Sequence, residues 1–318
     1  MPAITSSAPG KIILFGEHAV VYNRPAIAVP VQKLQARAVV IAEPLAPAGR
    51  VRIEAPDIHL SSDYESLAPD HPLRVTLQSV FRELGIQRIP AFSVRISSTI
   101  PVASGLGSGT AVTVAVIRAA ATFLGRTLAD DKVSELAYEV EKIYHGTPSG
   151  IDNTVVVYNH PVFFQRGMAQ PTIETFRVPA PFWLVIADTG IRSATAQAVG
   201  ELRLKWQDNP TAYEPLFDQV ADIVLQARGL IERGRPLDMG PLMLENHTLL
   251  QAMGVSSPEL DHLVEVAVAA GAFGAKLSGG GKGGNMIALT DRENAGQVAE
   301  ALLAGGAAQT YLTEVYER

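Results

Sequence analysis

The 318-residue chain has no cysteine, which excludes a disulfide framework, a thiolate nucleophile and any Cys-ligated zinc or iron–sulfur centre. Nothing then calls for an oxidising compartment, and a cytoplasmic location is expected. Charge is also scarce: 18% of residues are ionic, 32 acidic against 26 basic, for a net charge of −6. That balance leaves no polybasic surface able to neutralise many phosphates, so nucleic acid is not an expected partner. Unbroken apolar runs are lacking too. The uncharged stretch 97–117 has the length of a membrane span, but Pro101, Gly105, Gly107 and Gly109 interrupt it, and it reads as strand, loop and helix. No membrane association is expected. The start, MPAITSSAPGK, has neither a basic n-region nor an apolar h-region, which predicts a structural N-terminus and no secretory signal.

What the chain does have is burial capacity. Hydrophobic residues make up 47%, too many for intrinsic disorder and enough for about two ordinary domains. Branched or aromatic runs at 12–15, 37–41, 92–96 and 154–158 predict strands. Helical spacing predicts helices over 73–84 and 133–144, the second with Asp130 or Asp131 as N-cap and Gly146 and Pro148 as its stop. Breakers cluster at 169–181 before a buried strand at 182–187, which places a boundary between 178 and 179. Beyond it the pattern predicts helices over 214–233, 241–253, 258–270 and 292–303, with strands at 286–290 and 310–315. The fold class is α+β.

Four segments carry chemistry. In PGKIILFGEHAVVY, Lys11 and the pair Glu17 and His18 stand at opposite ends of a short apolar strand, flanked by Gly10 and Gly16. A lysine there can hold a phosphoryl group or lower a neighbouring carboxylate's pKa, and Glu17 and His18 can hydrogen-bond a polar substrate. In PVASGLGSGTA, Pro101, Ser104, Gly105, Leu106, Gly107, Ser108, Gly109 and Thr110 lead from a glycine-rich turn into a helix expected over 112–123. Close backbone approach and unpaired helix N–H groups make such a turn an anion site. Neither the P-loop nor the dinucleotide glycine pattern is present. In EKIYHGTPSGIDN, Glu141 lies in the last turns of a helix, where an acid is out of place unless it serves a cation such as Mg²⁺ shared with phosphates. Asp152 follows a sharp loop as a candidate general base or as a turn cap. Last, KLSGGGKGGN is a second glycine loop whose ordering cost points to a ligand-facing backbone.

In order and separation, PGKIILFGEHAVVY, PVASGLGSGTA and KLSGGGKGG resemble the three motifs of the GHMP small-molecule kinases. GEHAVVYNRPAIAVPV and EKIYHGTPSGIDN are most similar to the mevalonate kinase branch, and the likeness runs from residue 9 to about residue 290. The resemblance implies the two-domain GHMP kinase fold: residues 1–178 as an α/β domain like the second domain of ribosomal protein S5, and 179–318 as a ferredoxin-like α+β domain, with the site in the cleft between them. It implies transfer of the ATP γ-phosphoryl group to the 5-hydroxyl of mevalonate, in isoprenoid precursor biosynthesis, with ATP and Mg²⁺ as cofactors and a homodimer among the allowed assemblies. By the same resemblance Asp152 sits by the substrate hydroxyl with Lys11 paired to it, Glu141 binds Mg²⁺, and 105–110 wrap the ATP phosphates. Glu17, His18 and Thr195 shape the substrate pocket, and Ser278, Gly279 and Gly280 open the loop that closes over it.

The chain departs from the family pattern at three positions. The family's GLGSSA loop uses its second serine for Mg²⁺, and here that position is Gly109, leaving Ser108, Thr110 or water to fill the place. Lys282 replaces a common glycine, with phosphates or solvent as its expected partners. Asn23 replaces another, and asparagine tolerates left-handed turns. The rivals are the same fold acting on phosphomevalonate, another mevalonate hydroxyl, homoserine or a sugar, and a catalytically silent kinase scaffold.

Overall fold

A computed structural model describes residues 3–101, 104–145, 149–167, 171–192 and 195–316. In chain order the strands and helices are β1 (Ile4–Phe15), β2 (Ala26–Ala42), β3 (Val51–Ala55), β4 (Leu60–Asp63), α1 (Pro72–Glu83), β5 (Phe92–Ser98), α2 (Ser108–Phe123), α3 (Asp130–His145) and α4 (Ile151–Tyr158). They continue with β6 (Val162–Gln165), β7 (Thr172–Thr175), β8 (Phe182–Asp188), α5 (Thr195–Asp208), α6 (Pro210–Glu232), α7 (Gly240–Ala252), α8 (Pro258–Ala269), β9 (Gly274–Ser278), β10 (Asn285–Thr290), α9 (Ala295–Ala304) and β11 (Gln309–Val315). Among the described residues no helix is long and apolar enough to cross a membrane.

Two compact units emerge: residues 1–10 with 34–159, and residues 11–33 with 160–318. This grouping assigns 160–178, and with it β6 and β7, to the second unit, whereas the breaker pattern put the division at 178/179.

In the first unit β3 pairs parallel with β5 and antiparallel with β4, and β5 pairs antiparallel with the second half of β2, from Ala36↔Ser98 to Ala42↔Phe92. Alternation is clean along β3 and β5, so Val51, Ile53, Phe92, Val94 and Ile96 enter the core. Helix α2 is apolar nearly all round. Ala111, Val114, Ala115, Ile117, Ala119 and Ala121 are buried, as befits a helix packed by α1, α3 and α4.

In the second unit the start of β2 pairs with β6, and β6 with β7. A separate antiparallel sheet has the order β11-β8-β10-β9, with helices α7, α8 and α9 packed on its strands. Strand β10 is buried at every position and β8 at all but two, as expected of the two inner strands of that sheet.

Several expectations change. The run 154–158, read as a strand from its valines, is helix α4: Gly150 at φ 88 caps it, Thr154 Oγ1 donates to Gly150 O, and Val155, Val156 and Val157 are buried. A short apolar run has no period to distinguish the two, and packing against α2 and α3 overrides β propensity. The strand at 12–15 reaches back to Ile4, so Lys11 lies inside β1 and not at its end. Helix α2 starts at Ser108, four residues earlier than expected, and Asp130 and Asp131 sit within the first turn of α3 instead of capping it. The breaker segment also contains β7, exposed at every residue. Gly146 and Pro148, the expected stop of α3, lie outside the described residues.

Candidate active site

In the first unit the phosphate-type loop is built by close approach. A Cβ on Gly10 would come within 2.9 Å of Leu106 O, so only glycine lets β1 run this near the loop. Leu106 is buried and anchors the turn, Ser104 Oγ donates to Pro101 O at 2.9 Å, and Gly107 takes φ 73 as the N-cap of α2. Gly105 is exposed, and Ser108, Gly109 and Thr110 form the first helical turn, where unpaired N–H groups and the helix dipole favour an anion.

Thr110 links that turn to α3. Its buried hydroxyl donates to Glu141 Oε1 at 2.5 Å, and Glu141 is only 4% exposed. The hydroxyl next to Gly109 is therefore directed at the candidate metal carboxylate, while Ser108 is half-buried in the same turn. Among the described residues no three His, Asp or Glu side chains cluster as a metal site by themselves. One carboxylate with one or two hydroxyls suits Mg²⁺, which takes few protein ligands when phosphates supply the rest. Asp152 sits half-buried in the first turn of α4.

The second unit holds the other candidate residues. Lys11 is buried within β1. Just after the strand, Glu17 is buried and its Oε1 accepts from Lys276 Nζ at 2.5 Å, while Lys276 also donates to Leu277 O at 2.7 Å. Burial pushes the Glu17 carboxyl up and the Lys276 ammonium down, each opposed by the charge of the other. Glu17 Oε2 is buried without a hydrogen-bond partner among the described residues.

His18 is held at φ 59, an unusual conformation for a non-glycine residue. Its Nε2 lies 3.1 Å from Gly280 O, a geometry that needs the proton on Nε2 and leaves Nδ1 as a buried acceptor without a partner among the described residues. Burial lowers its pKa to about 4, so the ring is neutral near pH 7. Two adjacent buried acceptors without partners, on Glu17 and His18, call for donors such as substrate hydroxyls.

The second glycine loop is stitched to its surroundings. Ser278 Oγ donates to Ile13 O at 2.7 Å, Lys282 N to Val255 O and Gly284 N to Ile191 O, both at 2.9 Å. A Cβ on Gly281 would lie 1.9 Å from Val255 O, which no side chain could survive. Lys282 keeps its side chain 38% exposed. At φ 56 it pairs with Glu201 on α5. Asn23 adopts φ 66, as its residue type allows. Thr195 is the first residue of α5, and its side chain lies outside the described residues.

The sequence alone assigns no role to Lys276; the need for a buried partner appears only with strand β9, which is buried at every residue.

Residues 72–160 match the GHMP kinases N terminal domain and residues 227–308 the GHMP kinases C terminal domain. The chain belongs to the GHMP kinase family, has its two-domain α+β fold, and is thereby an ATP-dependent small-molecule kinase. It is 36% identical to the mevalonate kinase of Thermococcus sibiricus, over 95% of this chain and 94% of that one. It is 34% identical to the mevalonate kinase of Pyrococcus horikoshii, over 95% and 93% respectively. Among solved structures, L. major mevalonate kinase in complex with R-mevalonate superposes with a TM-score of 0.85 at 28% identity, covering 98% of this chain and 95% of that one.

Proposed function

We propose that this chain transfers the γ-phosphoryl group of ATP to the 5-hydroxyl of mevalonate, giving 5-phosphomevalonate and ADP in isoprenoid precursor biosynthesis. The observation that carries this reading is similarity to mevalonate kinases along nearly the whole chain. The two unpartnered buried acceptors at Glu17 and His18 support a hydroxyl-bearing substrate.

The roles follow from the chemistry of each group. The backbone of 105–110 and the first turn of α2 hold the ATP phosphates. Glu141 with Thr110, and Ser108 beside them, would hold Mg²⁺, which when bound neutralises phosphate charge and orients the transferred group. Lys11 offsets the charge that develops on the phosphoryl oxygens. Asp152 receives or orients the alcohol proton as the new O–P bond forms and the bond to ADP breaks. Glu17, His18 and Thr195 hold the alcohol, and Ser278, Gly279 and Gly280 cover it. In this scheme 1–178 and 179–318 are the functional divisions. Absence of cysteine and the net charge of −6 support a cytoplasmic enzyme without a nucleic-acid partner.

The test is ADP release from ATP and Mg²⁺ with mevalonate, phosphomevalonate, homoserine and galactose offered separately. Release with mevalonate alone is expected. Preference for another alcohol would overturn the substrate, and nucleotide binding without turnover on any of them would leave a silent scaffold.

A further inference from the structure

Behind the Glu17–Lys276 pair lies a buried hydrogen-bonded chain that none of the roles above uses. Among the described residues strand β9 is the outer strand of its sheet, so its outward backbone groups have no strand there to pair with. Leu277, opposite Met286 of β10, has both of these groups bound by side chains. Its N–H donates to His247 Nδ1 of α7 at 3.3 Å, and its C=O accepts from Lys276 Nζ at 2.7 Å. His247 is 5% exposed, and its Nε2 stands 3.1 Å from Asp261 Oδ1 of α8. The same carboxyl oxygen accepts from Ser256 Oγ at 2.5 Å. Because Nδ1 accepts from an amide, the ring proton resides on Nε2 and faces Asp261. Burial lowers the pKa of His247, Lys276 lowers it further and Asp261 opposes both, which keeps this tautomer neutral.

We propose that His247, oriented by Asp261, is a positioning residue for the alcohol pocket: it fixes the peptide of Leu277, thereby the Lys276 ammonium, and thereby the direction of the free oxygen of Glu17. This rests on the reading of Glu17 as an alcohol-binding residue. His247 touches no substrate. It acts through three consecutive contacts, each within hydrogen-bond distance and buried. A small displacement of the edge strand would turn Glu17 Oε2 away from a hydroxyl and weaken alcohol binding, leaving the nucleotide loop as it was.

The experiment compares His247→Leu with His247→Gln, whose carbonyl still accepts from the Leu277 amide and whose NH₂ still faces Asp261. His247→Leu should raise the KM for mevalonate roughly three- to tenfold, the range set by one lost hydrogen bond, with kcat and the KM for ATP unchanged. It should also speed amide exchange at Leu277, and His247→Gln should restore both. Should His247→Leu fail to fold, Asp261→Ala carries the same expectation with Asp261→Asn as its rescue. An unchanged mevalonate KM, a parallel rise in both KM values, or a glutamine variant as impaired as leucine would overturn the proposal. Failure of the substrate reading looks different: the unmodified protein would not turn over mevalonate, and Leu277 exchange would then decide whether His247 fixes the strand.

Discussion

Lys276 Nζ lies 2.5 Å from Glu17 Oε1 with the two side chains 0% and 1% exposed, joining strand β9 to the turn that follows β1. An ion pair so fully removed from water is held by mutual need: either member alone would be a buried, uncompensated charge.

Lys276→Met should therefore destabilise the protein by about 3 kcal/mol or more in urea unfolding, the usual cost of breaking a buried pair from one side. Adding Glu17→Gln should recover part of that loss, because the remaining acid is then gone. Additive losses in the double variant would show that the two side chains are not coupled.

Replacing the two proposed reacting groups should separate chemistry from folding. Asp152→Asn should lower kcat by about 10²- to 10⁴-fold, the scale of a lost general base, with the unfolding midpoint nearly unchanged. Lys11→Met should lower kcat and kcat/KM together, as expected for charge stabilisation realised in the transition state. Near-normal turnover in either variant would remove the role assigned to that residue.

The Thr110–Glu141 hydrogen bond predicts a metal phenotype. Thr110→Val should raise the Mg²⁺ concentration for half-maximal turnover by about tenfold or more, the scale for losing a group that orients a metal ligand. Chelation of Mg²⁺ should abolish turnover of the parent protein. An unshifted Mg²⁺ curve in Thr110→Val would place the metal elsewhere.

His18 predicts a specific acid sensitivity. Its pKa is about 4 in the folded chain against 6.5 for a free side chain, so between these values the unfolded chain binds a proton that the folded one does not. Stability falls as pH falls through that window, by on the order of 3 kcal/mol from His18 alone, and this residue adds no slope above pH 7. His18→Gln should remove that part of the slope. Identical pH profiles for parent and variant, followed by urea unfolding, would contradict a buried neutral ring.

The elements with a clear period were legible in the sequence. Helices α1, α3, α7 and α8 and strands β5, β8 and β10 fall within a few residues of the expected limits. The valines of α4 misled because β-branched residues in a short buried run carry no period, and Gly150 with Asp152 gave the helix start that propensity hid. Of the candidate site, the glycine loops stood out because glycine is costly to order, and Glu141 because an acid is disfavoured in the last turns of a helix. The partners of Lys276 and Lys282 were not: Glu17 lies 259 residues from the first and Glu201 lies 81 from the second, and no local pattern encodes a contact made through the tertiary fold. His247 had no signal at all, since a histidine on a helix reads equally well as surface.

The most direct test of the account is phosphorus NMR of the product formed from mevalonate, ATP and Mg²⁺. A single new phosphomonoester whose phosphorus couples to the C5 methylene protons is the predicted result. A phosphate on the tertiary hydroxyl, or no phosphorylated mevalonate at all, would contradict it.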